Sequence, residues 1–179
     1  MVENDIFIYM HMKLKEVVDD NIILNQLVKK AEGLFQWAFV ACDYIANPPP
    51  PFNSDECLES LLYALQANGI AEGLDKSDLL YTMVLKAHFN MAYDRICRKF
   101  RSIMTQVLST FEPLSIMSLN ALCQQMAHGV KPSTTHKGTA VFDVVKHTGS
   151  LLSNIIPSSS VLLIAPLHTS FYDFLTDKT

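Results

Sequence analysis

Few residues in this chain have types and spacing that could do chemistry. His168, Ser170 and Asp173 fall in one short stretch near the end. A histidine, a hydroxyl and a carboxylate are the parts of a nucleophile–base–orienter array, but three residues this close on one helix cannot form one. Arg95, Arg98, Lys99 and Arg101 bring four cations together, a composition that suits a phosphate. They stand at the head of a helix, where positive charge opposes the dipole, so a solvated face or a domain interface fits them better. None of the six glycines lies in a Gly-x-x-x-x-Gly-Lys-Ser/Thr arrangement. Without that loop the chain cannot cradle nucleotide phosphates on its own. No apolar strand ends in the paired acids that would hold magnesium. No His-Glu-x-x-His occurs, and Cys42, Cys57, Cys97 and Cys123 lack zinc spacing. The expectation is no catalytic residue and no metal site.

The elements that must position these residues are helical for most of the length. Asn4 or Asp5 can cap a first helix carrying Ile6, Met10, Leu14 and Val17, ending near Asp19–Asn21. Leu24, Leu27, Val28 and Ala31 make a second helical face. Gly33 interrupts it as a left-handed residue, and Leu34, Phe35, Ala38, Cys42 and Ile45 continue at a new angle. Pro48–Pro51 has no backbone donors and reads as a stiff, extended spacer. Ser54 or Asp55 caps a helix with Leu58, Leu61, Leu62 and Leu65, closed by Gly69. Another helix covers Leu74–Phe89, with Leu80, Val84 and Ala87 on one face.

A helix headed by the four cations runs through Ile103, Met104, Val107 and Leu108 to Glu112-Pro113. Ser115 caps the next, with Ile116, Leu119, Leu122, Cys123 and Met126. His128–Gly138 is a polar turn, and Ala140, Val141, Val144 and Val145 form a short helix. Leu151–Ile156 and Val161–Ile164 are β-prone runs joined by Pro157–Ser160, a hairpin. Leu167, Phe171, Phe174 and Leu175 then make the stripe of a closing helix, capped by Thr169 or Ser170, with His168 just ahead of its first turn.

Hydrophobic residues make up 49% of the chain and charged residues only 18%. A chain so apolar and so poor in charge implies that part of its surface is covered by a partner or by further domains. The net charge of −4 speaks against a general binder of nucleic acid or acidic membrane. Cysteines scattered through helices behave as small hydrophobes and indicate a reduced, cytoplasmic protein. No secretory signal and no apolar run of membrane-spanning length is visible. A chain that enters a helix at once reads as a fragment or a truncated gene product.

Several stretches resemble fungal NACHT-type signalling NTPases, relatives of animal and plant nucleotide-binding immune receptors. Leu167, His168, Ser170, Phe171, Asp173, Phe174 and Leu175 resemble the run Leu-His-x-Ser-Phe-x-Asp-Phe-Leu that closes the family's winged-helix module. Lys30-Ala31-Glu32-Gly33-Leu34-Phe35-Gln36-Trp37-Ala38 resembles a run in the helical domain after the NTPase core. Leu79, Leu80, Tyr81, Val84 and Leu85 resemble a later helical element. Glu112-Pro113-Leu114-Ser115 resembles the opening of the second winged-helix helix.

The resemblance implies a mainly α protein: a helical domain over residues 1–92 and a winged-helix domain with a short β-hairpin over 93–179, the boundary falling near 90–96. It implies that His168 contacts the phosphates of ADP. It also implies that Gly33, Leu34 and Phe35 lie on the adenine side, with Phe35 where related receptors carry a proline. ADP or ATP would bind only when the chain is joined to its NTPase core. The function implied is a non-catalytic regulatory portion that holds the ADP-bound off state. The partners implied are that core, the sensor repeats of the parent protein and the parent's oligomer, with no nucleic acid and no membrane. One alternative is a winged-helix nucleic-acid binder, although the candidate recognition helix, Gly138–Thr148, offers only Lys146 and His147. Another is an orphan fragment that acts through protein contacts alone.

The missing phosphate loop predicts that the chain by itself does not hydrolyse ATP or GTP. Turnover above a buffer blank that survives repurification would contradict this.

Overall fold

The computed structural model describes residues 2–67, 75–89, 94–110, 112–126, 141, 144–145, 148, 151–155, 163–166 and 168–176. Among them the chain is mainly helical. It divides into two compact units, Met1–His88 and Phe89–Thr179.

In the first unit one helix is surrounded by the others. α3 (Phe35–Ala46) reads Phe-Gln-Trp-Ala-Phe-Val-Ala-Cys-Asp-Tyr-Ile-Ala and is apolar on nearly every side. Such a helix needs neighbours all round it. It packs against α1 (Val2–Leu14), α2 (Asn21–Ala31), α4 (Ser54–Ala67) and α5 (Lys76–His88). The stripes read from the sequence are the buried faces: Ile6, Met10 and Leu14 on α1, and Leu24, Leu27, Val28 and Ala31 on α2. Leu58, Leu61 and Leu65 are buried on α4, as are Leu80 and Val84 on α5, whereas Leu62 and Ala87, expected on the same stripes, are half-buried.

The ends of these helices depart from expectation. α1 begins at Val2, so Asn4 and Asp5 lie inside it, where acidic residues favour the dipole of the first turn. It stops at Leu14, whose carbonyl accepts the N–H groups of Val17 and Val18. That turn buries Val18 and leaves Val17 half-buried. Asp20 caps α2 by accepting the Ile22 N–H at 2.7 Å. α4 is capped one residue earlier than expected. Asn53 Oδ1 accepts the Glu56 N–H at 2.9 Å, while Glu56 Oε2 accepts the Asn53 N–H at 2.8 Å. This reciprocal box satisfies two otherwise unpaired donors. The Lys30 ammonium donates to the Leu65 carbonyl at 3.4 Å, holding α2 to the last turn of α4, where a cation suits the dipole.

The proline run turns where an extended spacer was expected. The Phe52 N–H donates to the Pro49 carbonyl at 2.9 Å, and the Pro50–Pro51 peptide is cis. Pro49 is buried, while Pro50 and Pro51 are exposed. Gly69 lies outside the described residues.

The second unit is built on α6 (Asp94–Ser109), β1 (Leu114–Ser115), α7 (Ile116–Met126), β2 (Leu152–Ile155), β3 (Leu163–Pro166) and α8 (Thr169–Thr176). β3 is the central strand and pairs antiparallel with both others, in the order β1-β3-β2. Ser153 faces Ala165 and Asn154 faces Ile164; on the other edge Leu114 faces Ile164. β3 runs on to Pro166, two residues past the end of the run expected to form it. α6 buries Phe100, Ile103, Met104 and Val107 and ends at Ser109, short of Glu112-Pro113. Leu119 is buried on α7, whose head is capped by Ser115 Oγ accepting the Ser118 N–H at 3.0 Å. Val141, Val144 and Val145 are helical and buried. The polar turn at 128–138, Leu167 and the hairpin turn at 157–160 lie outside the described residues.

Burial sets the acidity of several core groups. It pushes the Cys42 thiol up to about 12, with Lys13 opposing and Asp43 adding to the effect. It likewise pushes the Tyr44 phenol up to about 12, with Cys57 adding to it. In the unfolded chain Cys42 loses its proton near 9, and in the folded chain only near 12. Between those values the unfolded chain binds fewer protons, so stability falls as pH rises through that window. The urea midpoint should therefore be steady below pH 9 and drop between 9 and 12, and Cys42→Ala should shed the earliest part of the drop. Identical profiles for the two proteins would contradict this.

Candidate functional site

His168 is the residue that opens α8. Its carbonyl accepts the N–H groups of Phe171 at 3.1 Å and Tyr172 at 3.5 Å, the first bonds of the helix. Its ring turns back on the same end: Nδ1 accepts the Ser170 backbone N–H at 3.1 Å and lies 2.9 Å from Ser170 Oγ. The expected cap, Thr169 or Ser170, is therefore displaced by His168 itself. The imidazole nitrogen stands where the oxygen of an aspartate cap would stand. A backbone N–H can only donate, so Nδ1 carries no proton. The neutral ring then holds its proton on Nε2, which is the donor it can offer to a ligand. His168 is exposed, while Phe171, one turn on, is fully buried and stacks with Phe174 at 6.2 Å. The apolar face anchors α8, and the histidine stays at the surface of its unit.

Gly33, Leu34 and Phe35 form the turn from α2 into α3. Two consecutive left-handed residues make it, Glu32 at φ 50° and Gly33 at φ 80°. Only the second was anticipated. The Leu34 N–H returns to the Ala31 carbonyl at 2.8 Å. This geometry throws Leu34 and Phe35 outward, 51% and 46% exposed, although both had been expected on the buried stripe. Phe35 rests on Tyr9, with ring centroids 4.8 Å apart. Trp37 is the core aromatic, with its indole N–H donating to the Lys76 carbonyl at 3.4 Å. Glu32 reaches across to pair with Lys76 at the head of α5.

Beside that turn lies a cleft of about 450 Å³, bordered by Lys30, Leu34, Trp37, Asp75, Lys76 and Ser77. It was not legible in the sequence, because α5 brings Asp75–Ser77 to the turn from far along the chain. Asp75 is already engaged, its Oδ1 accepting the Ser77 N–H at 2.8 Å.

No family model, no curated protein and no solved structure matches the chain. The site is therefore weighed on its own geometry. His168 belongs to the second unit, and the Gly33–Phe35 turn and its cleft to the first. Arg98, Lys99 and Arg101 are exposed on α6, and the side chain of Arg95 lies outside the described residues. Among the described residues no group of three His, Cys, Asp or Glu side chains converges as a metal site would, and no helix is long and apolar enough to cross a membrane.

The turn makes its own prediction. An added methyl at Gly33 would meet nothing within 4 Å, so the cost of replacing it comes from the backbone alone. Gly33→Ala should lower stability by about 1–2 kcal/mol, and Gly33→Asn, which tolerates the left-handed region, by less. Urea unfolding measures both, and equal losses would contradict a purely conformational cost.

Proposed function

We propose that the chain is the helical and winged-helix regulatory portion of a NACHT-type signalling NTPase. In this reading it works in the cytoplasm, catalyses nothing itself, and helps hold its parent in an ADP-bound off state. It acts through contacts with the NTPase core, the sensor repeats and the parent's oligomer.

The observation that carries the reading is the state of His168. One ring nitrogen is held by the helix head and the other keeps a proton, on an exposed residue. A neutral donor fixed at one end is suited to a phosphate oxygen. The winged-helix assignment is supported by the small sheet. The strand between α6 and α7 joins the hairpin by pairing with β3, so helix, strand, helix and hairpin close on one another. The adenine-side assignment is supported by the exposure of Leu34 and Phe35, an apolar surface that a purine could cover.

His168→Asn separates the two jobs of the ring. An asparagine oxygen keeps the cap on Ser170, and the outward imidazole donor is lost. In this chain joined to its NTPase core, the ADP off-rate should rise about tenfold, the effect of one lost bond to a charged group. The thermal midpoint should hold. An unchanged off-rate would reduce His168 to a structural cap and remove the main support for the reading.

A further inference from the structure

We infer that the outward face of α1 is a self-docking surface: a second copy of this chain seats on it antiparallel, with Ile8 opposite Met12 of the second copy. This stands on the first unit alone and depends on no nucleotide.

α1 is apolar on two sides. Ile6, Met10 and Leu14 are buried against the unit. Ile8 and Met12 stand on the opposite side, 50% and 68% exposed. Residues four apart on a helix are neighbours, so the two form one short ridge. A helix that packs on one side only carries polar residues on the other, and apolar ones there mark a surface made to be covered. Beside the ridge runs a groove of about 530 Å³ between α1 and α2, bordered by Phe7, Ile8, His11, Met12, Asn21 and Asn25. Phe7 and His11 stack along it, with ring centroids 6.1 Å apart.

The charges around this face select its occupant. Asp5 lies one turn before Ile8, and Lys15 follows Met12 by one turn, just past the end of α1. Both are exposed. The face therefore has an acid at one end, a base at the other and the ridge between them. A two-fold axis at the level of residue 10 turns this pattern on itself. Ile8 then meets Met12 of the second copy, Asp5 meets Lys15 of the second copy, and each contact occurs twice. The helix ends agree: the first turn is acidic at Glu3 and Asp5, the last is basic at His11 and Lys13, and antiparallel dipoles attract. Glu16, in the turn after the helix, is the one acid near the basic end. A parallel copy would set like charge beside like, and a uniformly acidic or basic helix would satisfy one end only. One helix face and a groove make a small interface, so the dimer is a weak one.

The test is sedimentation velocity on the full chain from micromolar to submillimolar concentration. The sedimentation coefficient should climb from that of a monomer to that of a dimer. Met12→Gln, exposed and away from the helix ends, should move the midpoint of the climb about tenfold higher in concentration, through the loss of an apolar side chain from each copy. Asp5→Lys and Lys15→Asp should each weaken association. An equal mixture of the two should dimerise better than either alone, because the copies then offer opposite charges at both ends. Circular dichroism checks that each variant is folded, and should a charge variant fail, Met12→Gln carries the test. A monomer at every concentration overturns the proposal and leaves the face to a partner of another kind. So does a dimer indifferent to Met12→Gln, which would place the association elsewhere. A mixture no better than its components overturns the antiparallel register.

Discussion

A helix that is apolar nearly all round cannot stand at a surface, and the first unit follows from that one constraint. α3 carries Trp37, Ala38, Val40, Ala41, Cys42, Tyr44 and Ile45 into the core, so α1, α2, α4 and α5 must each give it a face. The left-handed pair Glu32-Gly33 is the device that lets α2 turn into this helix without losing its own packed stripe. The consequence for function is local. A chain bent so sharply puts Leu34 and Phe35 outside while the next turn, from Trp37 onward, is buried. In the second unit β3 has the corresponding place, joined to β1 and β2 at its edges and packed by α6 and α8.

Much of the helical architecture was legible because burial repeats at helical spacing. The stripe of Leu24, Leu27, Val28 and Ala31 is wholly buried; of the first stripe Ile6, Met10 and Leu14 are buried, while Val17 falls past the helix end and is half-buried. What was less legible was decided by polar atoms that compete at the helix ends. Asn53, Ser54 and Asp55 can each cap a helix, and the choice fell to Asn53 because Glu56 can answer it. β1 left no pattern, since two residues next to a proline acquire their strand geometry only by pairing with Leu163 and Ile164. The proline run was misjudged for a related reason. Fixed φ angles allow a turn as well as an extended chain, and the bond from Phe52 to Pro49 selects the turn.

The candidate site divides along the same line. That His168 stands ahead of the closing helix could be read from the stripe behind it. Its role as the cap could not, because histidine is an uncommon residue there and its neighbours Thr169 and Ser170 are better formers of caps. The bond from the Ser170 N–H makes Nδ1 the acceptor and leaves Nε2 as the ring's donor.

The central claim is that His168 is a neutral ring with Nδ1 bare and Nε2 protonated. Nitrogen-15 chemical shifts of the imidazole, correlated with its carbon-bound protons in the full chain at neutral pH, report this directly. The account predicts an unprotonated shift at Nδ1 and a protonated one at Nε2. The reverse pattern, with the proton on Nδ1, would contradict the cap and the functional reading that rests on it.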